Sequence, residues 1–316
     1  MTIVLDSLGL RAGGRTLLDG VSLSLAPGGR TALVGASGAG KSLTCAALAG
    51  TLPPGLEASG SLRVVEDAAR DGGQCDGAQD EGAPEVPAGP DLLGTPAAAR
   101  PRGSRAALVP QDPTTALHPL IPALRQVELA AHGAGGSRAG ERARDRAVEL
   151  LEAVGLDAGT GARVPGRLSG GQRQRVCLAL ALAGDPAVLI ADEPTTALDV
   201  VARGEALALL RDVTGGPQSP SLLLITHDLP AATICQEIVV LHQGRVVDRG
   251  ATTKVLTNPG HPATRAMCEA AAEETLDGAL AAAGLRVRGG GSGRGGGGGG
   301  AGSGESGHRR RPGIAA

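Results

Sequence analysis

Apolar and polar residues alternate through Thr2 to Arg30, with Ile3, Leu5, Leu8 and Leu10 followed by Val21, Leu23 and Leu25. That spacing predicts antiparallel strands. Shorter, continuously apolar runs then recur: Thr31–Val34, Ala106–Val109, Val188–Ile190 and Leu222–Thr226. Runs of that length predict buried strands. Ser61–Val65 predicts another strand, and Ile238–Leu241 with Arg245–Asp248 a hairpin around Gln243-Gly244. Between the strands the period lengthens. Leu43–Gly50 predicts a helix closed by Gly50, and Leu124–Ala131 a second. Glu141–Val154 places Ala147, Leu150, Leu151 and Val154 on one face, with Gly155 as its stop. Val176–Ala183 and the stretch after Asp199 to about Val213 complete the helices, and past Thr257 an Ala-rich helical extension runs to about Leu285.

Two stretches break the pattern. From Glu66 to Arg105 the chain is rich in Gly, Pro, Asp and Ala and poor in apolar residues. Such a segment buries too little surface to offset its ordering entropy, which predicts a disordered surface insertion. Gly289 to Gly304 is almost pure Gly and Ser and predicts a flexible tail that ends in Arg309-Arg310-Arg311, read as a solvated terminus.

Composition narrows the partners. The chain has 316 residues, 41% of them hydrophobic, and a net charge of −2, which gives no case for nucleic acid. Its five cysteines form no C-x-x-C pair, so a disulfide framework or zinc site is not expected and a reducing cytosol fits. The first residues lack the basic start of a signal peptide, and no apolar run approaches the ~18 residues of a membrane span. Phe, Tyr and Trp are absent altogether, so the core must be built from Leu, Val, Ile and Ala. That predicts softer packing or lower stability.

The chemistry centres on Gly35-Ala36-Ser37-Gly38-Ala39-Gly40-Lys41-Ser42, which matches G-x-x-x-x-G-K-[ST] between a strand and a helix. In such a loop, backbone N–H groups converge on phosphate oxygens and the helix N-terminus adds partial positive charge. Lys41 supplies a point charge for the β and γ phosphates, and the Ser42 hydroxyl can ligate Mg²⁺. The strand Val188–Ile190 leads to Asp192 and Glu193, and Leu222–Thr226 leads to His227. From the residues alone, His227 fits a satisfied core histidine as well as a functional one.

These motifs, with Gln111 after a strand and Leu168-Ser169-Gly170-Gly171-Gln172 opening a helix, resemble in content and order the nucleotide-binding subunit of ABC transporters. The resemblance covers about Thr2 to Cys268, apart from the insertion. It implies an α/β fold: a P-loop NTPase (RecA-like) core, an antiparallel β subdomain and an inserted α-helical signature subdomain. It implies ATP and Mg²⁺, with the metal at Ser42, Gln111 and Asp192, the attacking water polarised by Glu193, and the γ-phosphate touched by His227. Gln111 becomes a switch that senses Mg²⁺–ATP and touches the membrane subunit. Ser169, Gly170, Gly171 and Gln172 become a second anion site that closes over the ATP of another subunit, stabilised by Asp199. The implied partners are ABC permease subunits, a second ATPase subunit (a copy or a paralogue) and, indirectly, an extracytoplasmic solute-binding protein, with the chain peripheral at the cytoplasmic face of the membrane.

Gln111-Asp112-Pro113-Thr114-Thr115-Ala116-Leu117-His118-Pro119 and Asn258-Pro259-Gly260-His261-Pro262-Ala263-Thr264-Arg265 resemble stretches of the oligopeptide, dipeptide and nickel importers. The implied plan is residues 1–257 as the nucleotide-binding domain (insertion 66–105, helical subdomain 114–184), 258–288 as an importer-type extension and 289–316 as a disordered tail. A non-transport ABC ATPase and a binding-only subunit paired with an active paralogue are the rival readings. The family usually stacks an aromatic residue on adenine. The matching stretch, about Leu10 to Gly14, has none, leaving Arg11 or Arg15 as stand-ins.

Overall fold

A computed structural model describes residues 1–65, 90–101, 104–132, 139–196 and 198–282 of the chain. The chain divides into two units, Met1–Ala272 and Glu273–Ala316. In order, the elements are β1 (Thr2–Ala12), β2 (Arg15–Leu25), β3 (Arg30–Val34), α1 (Lys41–Ala49), β4 (Glu57–Val65), β5 (Ala106–Val109), α2 (Pro113–Ala116), α3 (Ala123–His132), α4 (Ala139–Ala153), α5 (Ala158–Gly161), α6 (Gly170–Ala183), β6 (Val188–Asp192), α7 (Val200–Val213), β7 (Ser221–Thr226), α8 (Leu229–Ala232), β8 (Glu237–His242), β9 (Arg245–Ala251), α9 (Thr252–Thr257) and α10 (Pro262–Ala282). All but the end of α10 lie in the first unit.

The alternating N-terminal pattern forms its own three-stranded antiparallel sheet, in the order β2-β1-β4. The continuously apolar runs form a six-stranded sheet, in the order β5-β6-β7-β3-β8-β9. Its pairs are parallel except β8 with β9.

The central strands are apolar throughout because each feeds two cores. Leu33, Val188, Ile190, Leu223, Ile225, Val239 and Leu241 point into a core shared with the small sheet and with Cys45, Ala47 and Leu48 of α1. Their alternating neighbours, including Val34, Leu189, Leu222, Leu224 and Ile238, point to the other face, where α3, α4 and α6 supply Val127, Leu150, Leu151, Val176 and Leu178, joined by Val154 just after α4. Both cores are built without an aromatic ring.

Helix ends follow local chemistry. Helix α1 stops at Gly50, which takes a left-handed conformation (φ 69°) and returns its N–H toward the Ala46 and Ala47 carbonyls. Helix α6 opens with a capping box: the Ser169 hydroxyl accepts from the Gln172 N–H (3.2 Å), and the Gln172 amide oxygen accepts from the Ser169 N–H (3.0 Å).

The stretch expected to be disordered, residues 66–105, needs correction at its C-terminal end. Residues 90–101 form an anchored strap. Leu92 is buried with the core between the two sheets, Asp91 accepts the Leu62 and Leu93 N–H groups (both 2.9 Å), and Arg100 is 1% exposed. A few long-range anchors thus order a segment whose average composition argues otherwise. Residues 66–89 and the expected tail, 289–316, lie outside the described residues.

Because Leu189 is fully buried where β6 meets the core beneath α6, Leu189→Ala is expected to cost about 2–5 kcal/mol. The measurement is the urea midpoint by far-ultraviolet circular dichroism, with an unchanged slope. A loss under about 1 kcal/mol would contradict the packing described here.

Candidate active site

Parallel pairing brings the ends of β3, β7 and β6 to one edge of the sheet, where Val34 pairs with Thr226 and Asp192 with Ile225. The residue that follows each strand end therefore opens onto the same space. An open cleft of about 470 Å³ lies there, lined by Ser37, Gly38, Gly40, Lys41, Ser42, Leu43, Asp192, Glu193 and His227.

The loop before α1 turns through glycines in the left-handed region, Gly38 (φ 77°) and Gly40 (φ 109°). At Gly40 a Cβ would also meet the Leu18 methyl, which would have to shift to admit it. Lys41 Nζ donates to the carbonyls of Gly35 (2.6 Å) and Ala36 (3.1 Å), so a phosphate oxygen entering the loop competes with backbone for the ammonium. Cys45, one turn further on, is buried, and burial together with the Asp192 charge pushes its thiol well up. It is an inert packing group.

Glu193 is the hub. Its backbone is left-handed (φ 46°) and its N–H donates to the Ile225 carbonyl (2.9 Å), which pins the residue to the neighbouring strand. Its carboxylate faces three partners: His227 Nδ1 at 3.0 Å, Thr196 Oγ1 at 3.1 Å and Gln111 Nε2 at 3.5 Å. Partial burial pushes the Glu193 carboxyl up. The hydrogen bonds from His227 and Thr196, with the nearby positive charge, outweigh it and hold the group below its ordinary value. An ionised carboxylate only accepts, so His227 Nδ1 is the donor and Nε2 is left for another partner. The His227 side chain is 61% exposed, which removes the core-histidine reading.

Asp192 is tuned the other way. Burial first, then the Glu193 charge, pushes its carboxyl above the ordinary value, and Lys41 pulls it back. The Ser42 hydroxyl and Asp192 carboxylate lining this cleft are hard oxygen donors, the set that suits Mg²⁺ held jointly with phosphates. Gln111 does not line this cleft. It lines a neighbouring one of about 140 Å³, with Gly170, Arg173 and Thr196.

The expected residues therefore fall into two groups. The structure gathers Lys41, Ser42, Asp192, Glu193 and His227 around one cleft and ties Gln111 to Glu193 from the side. Ser169, Gly170, Gly171 and Gln172 stand outside it, at the tip of α6. Asp199 caps α7, accepting from the Val201 and Ala202 N–H groups (both 2.9 Å). Neither Arg11 nor Arg15 lines the cleft.

Two contributors escape a reading of the sequence. Thr196 reaches Glu193 because the Pro194 turn folds back on itself, with the Thr196 N–H directed at the Glu193 carbonyl (3.3 Å). Its only signal is its position three residues after the acid. Arg203 of α7 pairs with Asp228 (2.9 Å), whose other oxygen caps α8 just after His227. His261, in the importer-like stretch, has a structural role. Its Nδ1 accepts from the Ala263 N–H (3.1 Å) at the start of α10, while its own N–H donates to Asp248 (2.8 Å).

A glycine-rich cradle at a helix N-terminus, with two carboxylates on the adjacent strand end, defines a P-loop nucleotide-binding fold. Comparison with known proteins agrees. The ABC transporter family model matches residues 18–196, more than half of the chain. A peptide import ATP-binding protein of Brucella abortus is 42% identical over 172 residues, 54% of this chain and 51% of that protein. The oligopeptide transport ATP-binding protein OppD of Lactococcus lactis subsp. cremoris is 32% identical over 255 residues, 78% of this chain and 68% of that one. Among solved structures, the dimeric post-hydrolysis state of the ATP-binding cassette MJ0796 bound to ADP and Pi matches with a TM-score of 0.58 at 25% identity, over 80% of this chain and 99% of that one. The chain belongs to the ABC transporter family. It spans about half the length of several curated relatives that it matches.

The raised pKa of Asp192 gives a signed expectation. A carboxyl whose folded value lies above its unfolded one contributes stability that is fully present below the unfolded value and is lost as pH rises through the folded value. At neutral pH the Asp192 charge therefore opposes folding. Asp192→Asn is expected to raise the melting temperature of the nucleotide-free protein near pH 7. The gap should shrink as the pH falls into the carboxylate range. A variant that melts below wild type at neutral pH would contradict the assignment.

Proposed function

We propose that the chain is the ATP-binding and ATP-hydrolysing subunit of an ABC importer for peptides. The observation that carries this reading is the Glu193 carboxylate, held between His227, Thr196 and Gln111 at the edge of the phosphate cleft. Peptides are preferred to nickel because the Brucella and Lactococcus relatives are named for peptide import and oligopeptide transport.

In this reading the loop Gly35–Ser42 cradles the triphosphate through backbone N–H groups, and Lys41 exchanges its two carbonyl partners for phosphate oxygens. Ser42 and Asp192, with Gln111 from the neighbouring cleft, would hold Mg²⁺. Bound there, the metal would neutralise charge on the β and γ phosphates. Glu193 accepts a hydrogen bond from the attacking water and draws its proton away. The new oxygen–phosphorus bond forms as the bond from the γ-phosphorus to the ADP oxygen breaks. His227 fixes the Glu193 carboxylate through Nδ1 and offers Nε2 to the transferring phosphoryl group, while Thr196 holds the second carboxylate oxygen.

Ser169, Gly170, Gly171 and Gln172 complete the site from a second ATPase subunit, either a copy or a paralogue. Their position at a helix tip outside the chain's own cleft supports that sharing. No described helix is long and apolar enough to cross a membrane, so in this reading permease subunits supply the spans. In this reading the loop that follows α2, a few residues after Gln111 in the chain, meets the permease; Leu120 is 79% exposed there, and the Gln126 side chain bonds both the N–H and the C=O of His118 (2.9 and 3.0 Å). A solute-binding protein on the far side and a location at the cytoplasmic face complete the proposal.

Glu193→Gln keeps the shape but removes the proton acceptor. It is expected to bind Mg²⁺–ATP as wild type does and to release phosphate about 10²–10⁴-fold more slowly. Calorimetry and a phosphate-release assay on the chain with its partner subunits measure the two. Turnover within a few-fold of wild type would sink the catalytic assignment.

A further inference from the structure

The most deeply buried charge in the described structure is remote from the cleft. Arg100, in the strap 90–101, is 1% exposed, and its guanidinium has no acidic partner among the described residues. Instead it donates to four backbone carbonyls: Ala47 (3.0 Å), Leu48, Leu92 (3.1 Å) and Thr95 (2.9 Å). Ala47 and Leu48 belong to the last turn of α1, where carbonyls lack partners within the helix and the helix dipole is negative. The cation is thus held by the tail of the helix whose head carries Lys41 and Ser42. The planar fork reaches several carbonyls at once, which a lysine ammonium does not match.

The fit around it is close. Gly50 ends α1 in a left-handed conformation, and a Cβ there would lie 2.7 Å from the Ala97 nitrogen, 2.8 Å from the Thr95 oxygen and 3.0 Å from the Arg100 Cζ. The strap is pressed onto the helix stop with no room for a side chain between them. The backbone of Arg100 has a second duty: its carbonyl accepts from Arg105 Nε (3.0 Å), just before β5, the strand that leads to Gln111. One residue therefore links the helix that carries the phosphate cradle to the strand that carries Gln111.

We propose that Arg100 is a positioning residue for the nucleotide site, through which ordering of the strap 90–101 and seating of the triphosphate at the head of α1 become one linked equilibrium. This rests on the nucleotide-binding reading given above. Reciprocity follows from linkage: if the strap steadies the cradle, a nucleotide in the cradle steadies the strap to the same extent. The strap lies a helix length away, about 13 Å for nine residues at 1.5 Å each, so direct contact with phosphates does not explain such an effect.

The test uses the full chain, with its partner subunits for the kinetic readout. Hydrogen exchange of the Leu92, Thr95 and Ala99 amides, each hydrogen-bonded within the strap or to β4, is followed with and without Mg²⁺–ATP. Wild type is expected to show slower exchange at all three when nucleotide binds. Arg100→Met is expected to lose that response and to raise the KM for ATP about five- to tenfold, with kcat within about twofold, and Arg100→Lys to show both changes in part. Unchanged exchange in wild type at saturating ATP would overturn the proposal, as would variants that melt earlier but keep the wild-type KM. If Arg100→Met does not fold, wild-type exchange and the Lys variant decide. Absence of any ATP binding by calorimetry, in contrast, would remove the nucleotide reading itself and this proposal with it.

Discussion

Parallel pairing of β6, β7 and β3 is the constraint on which the site depends. β7 lies between the other two, so the residue after its end, His227, emerges between the phosphate loop after β3 and the carboxylates at the end of β6. No side chain has to travel far to meet the others. The register is enforced from both faces, because alternate residues of each strand fill different cores. A slip of one residue would exchange the two sets and turn every strand-end group away from the cleft. Precision in the site is therefore bought with ordinary Leu, Ile and Val packing, well behind the chemistry.

Within that frame, two adjacent carboxylates are set apart by their neighbours. Asp192 is half-buried beside another acid and holds its proton more readily than usual, while Glu193 accepts hydrogen bonds and gives its proton up more readily. The site is thus under electrostatic tension around Asp192 that a cation would relieve, whereas Glu193 needs none. The left-handed backbone of Glu193 belongs to the same design. Local strain is accepted there because its N–H bond to Ile225 holds the residue at the cleft.

Much of this is visible in the chain itself. Buried strands announce themselves by continuous apolar runs, the phosphate loop by its glycines and lysine, and α6 by the Ser169–Gln172 box that starts it. What escapes is held by single long-range contacts. The Glu66–Arg105 stretch averages out as too polar to order, yet Asp91, Leu92 and Arg100 fix its last part, and no local window weighs three such anchors. The Arg203–Asp228 pair escapes for the same reason, since its partners are near only after folding, whereas Thr196 escapes because it takes the turn at Pro194 to bring its hydroxyl back to Glu193. Short helices such as α2, α5 and α8 have too few residues to show a period, although Asp112, Asp157 and Asp228 cap them. His261, to which the sequence assigns no chemistry, takes a place at the start of α10, where its Nδ1 accepts from the Ala263 N–H.

The cores contain no ring larger than an imidazole, and the whole chain has no Phe, Tyr or Trp. Such a protein is nearly transparent in the near ultraviolet. Intrinsic fluorescence is silent in it, and near-ultraviolet dichroism, the usual reporter of fixed side-chain packing, has almost nothing to report. The same darkness is an advantage at the cleft. A purine bound there would be the principal chromophore of the complex, and its spectrum would describe its own surroundings without subtraction of the protein's.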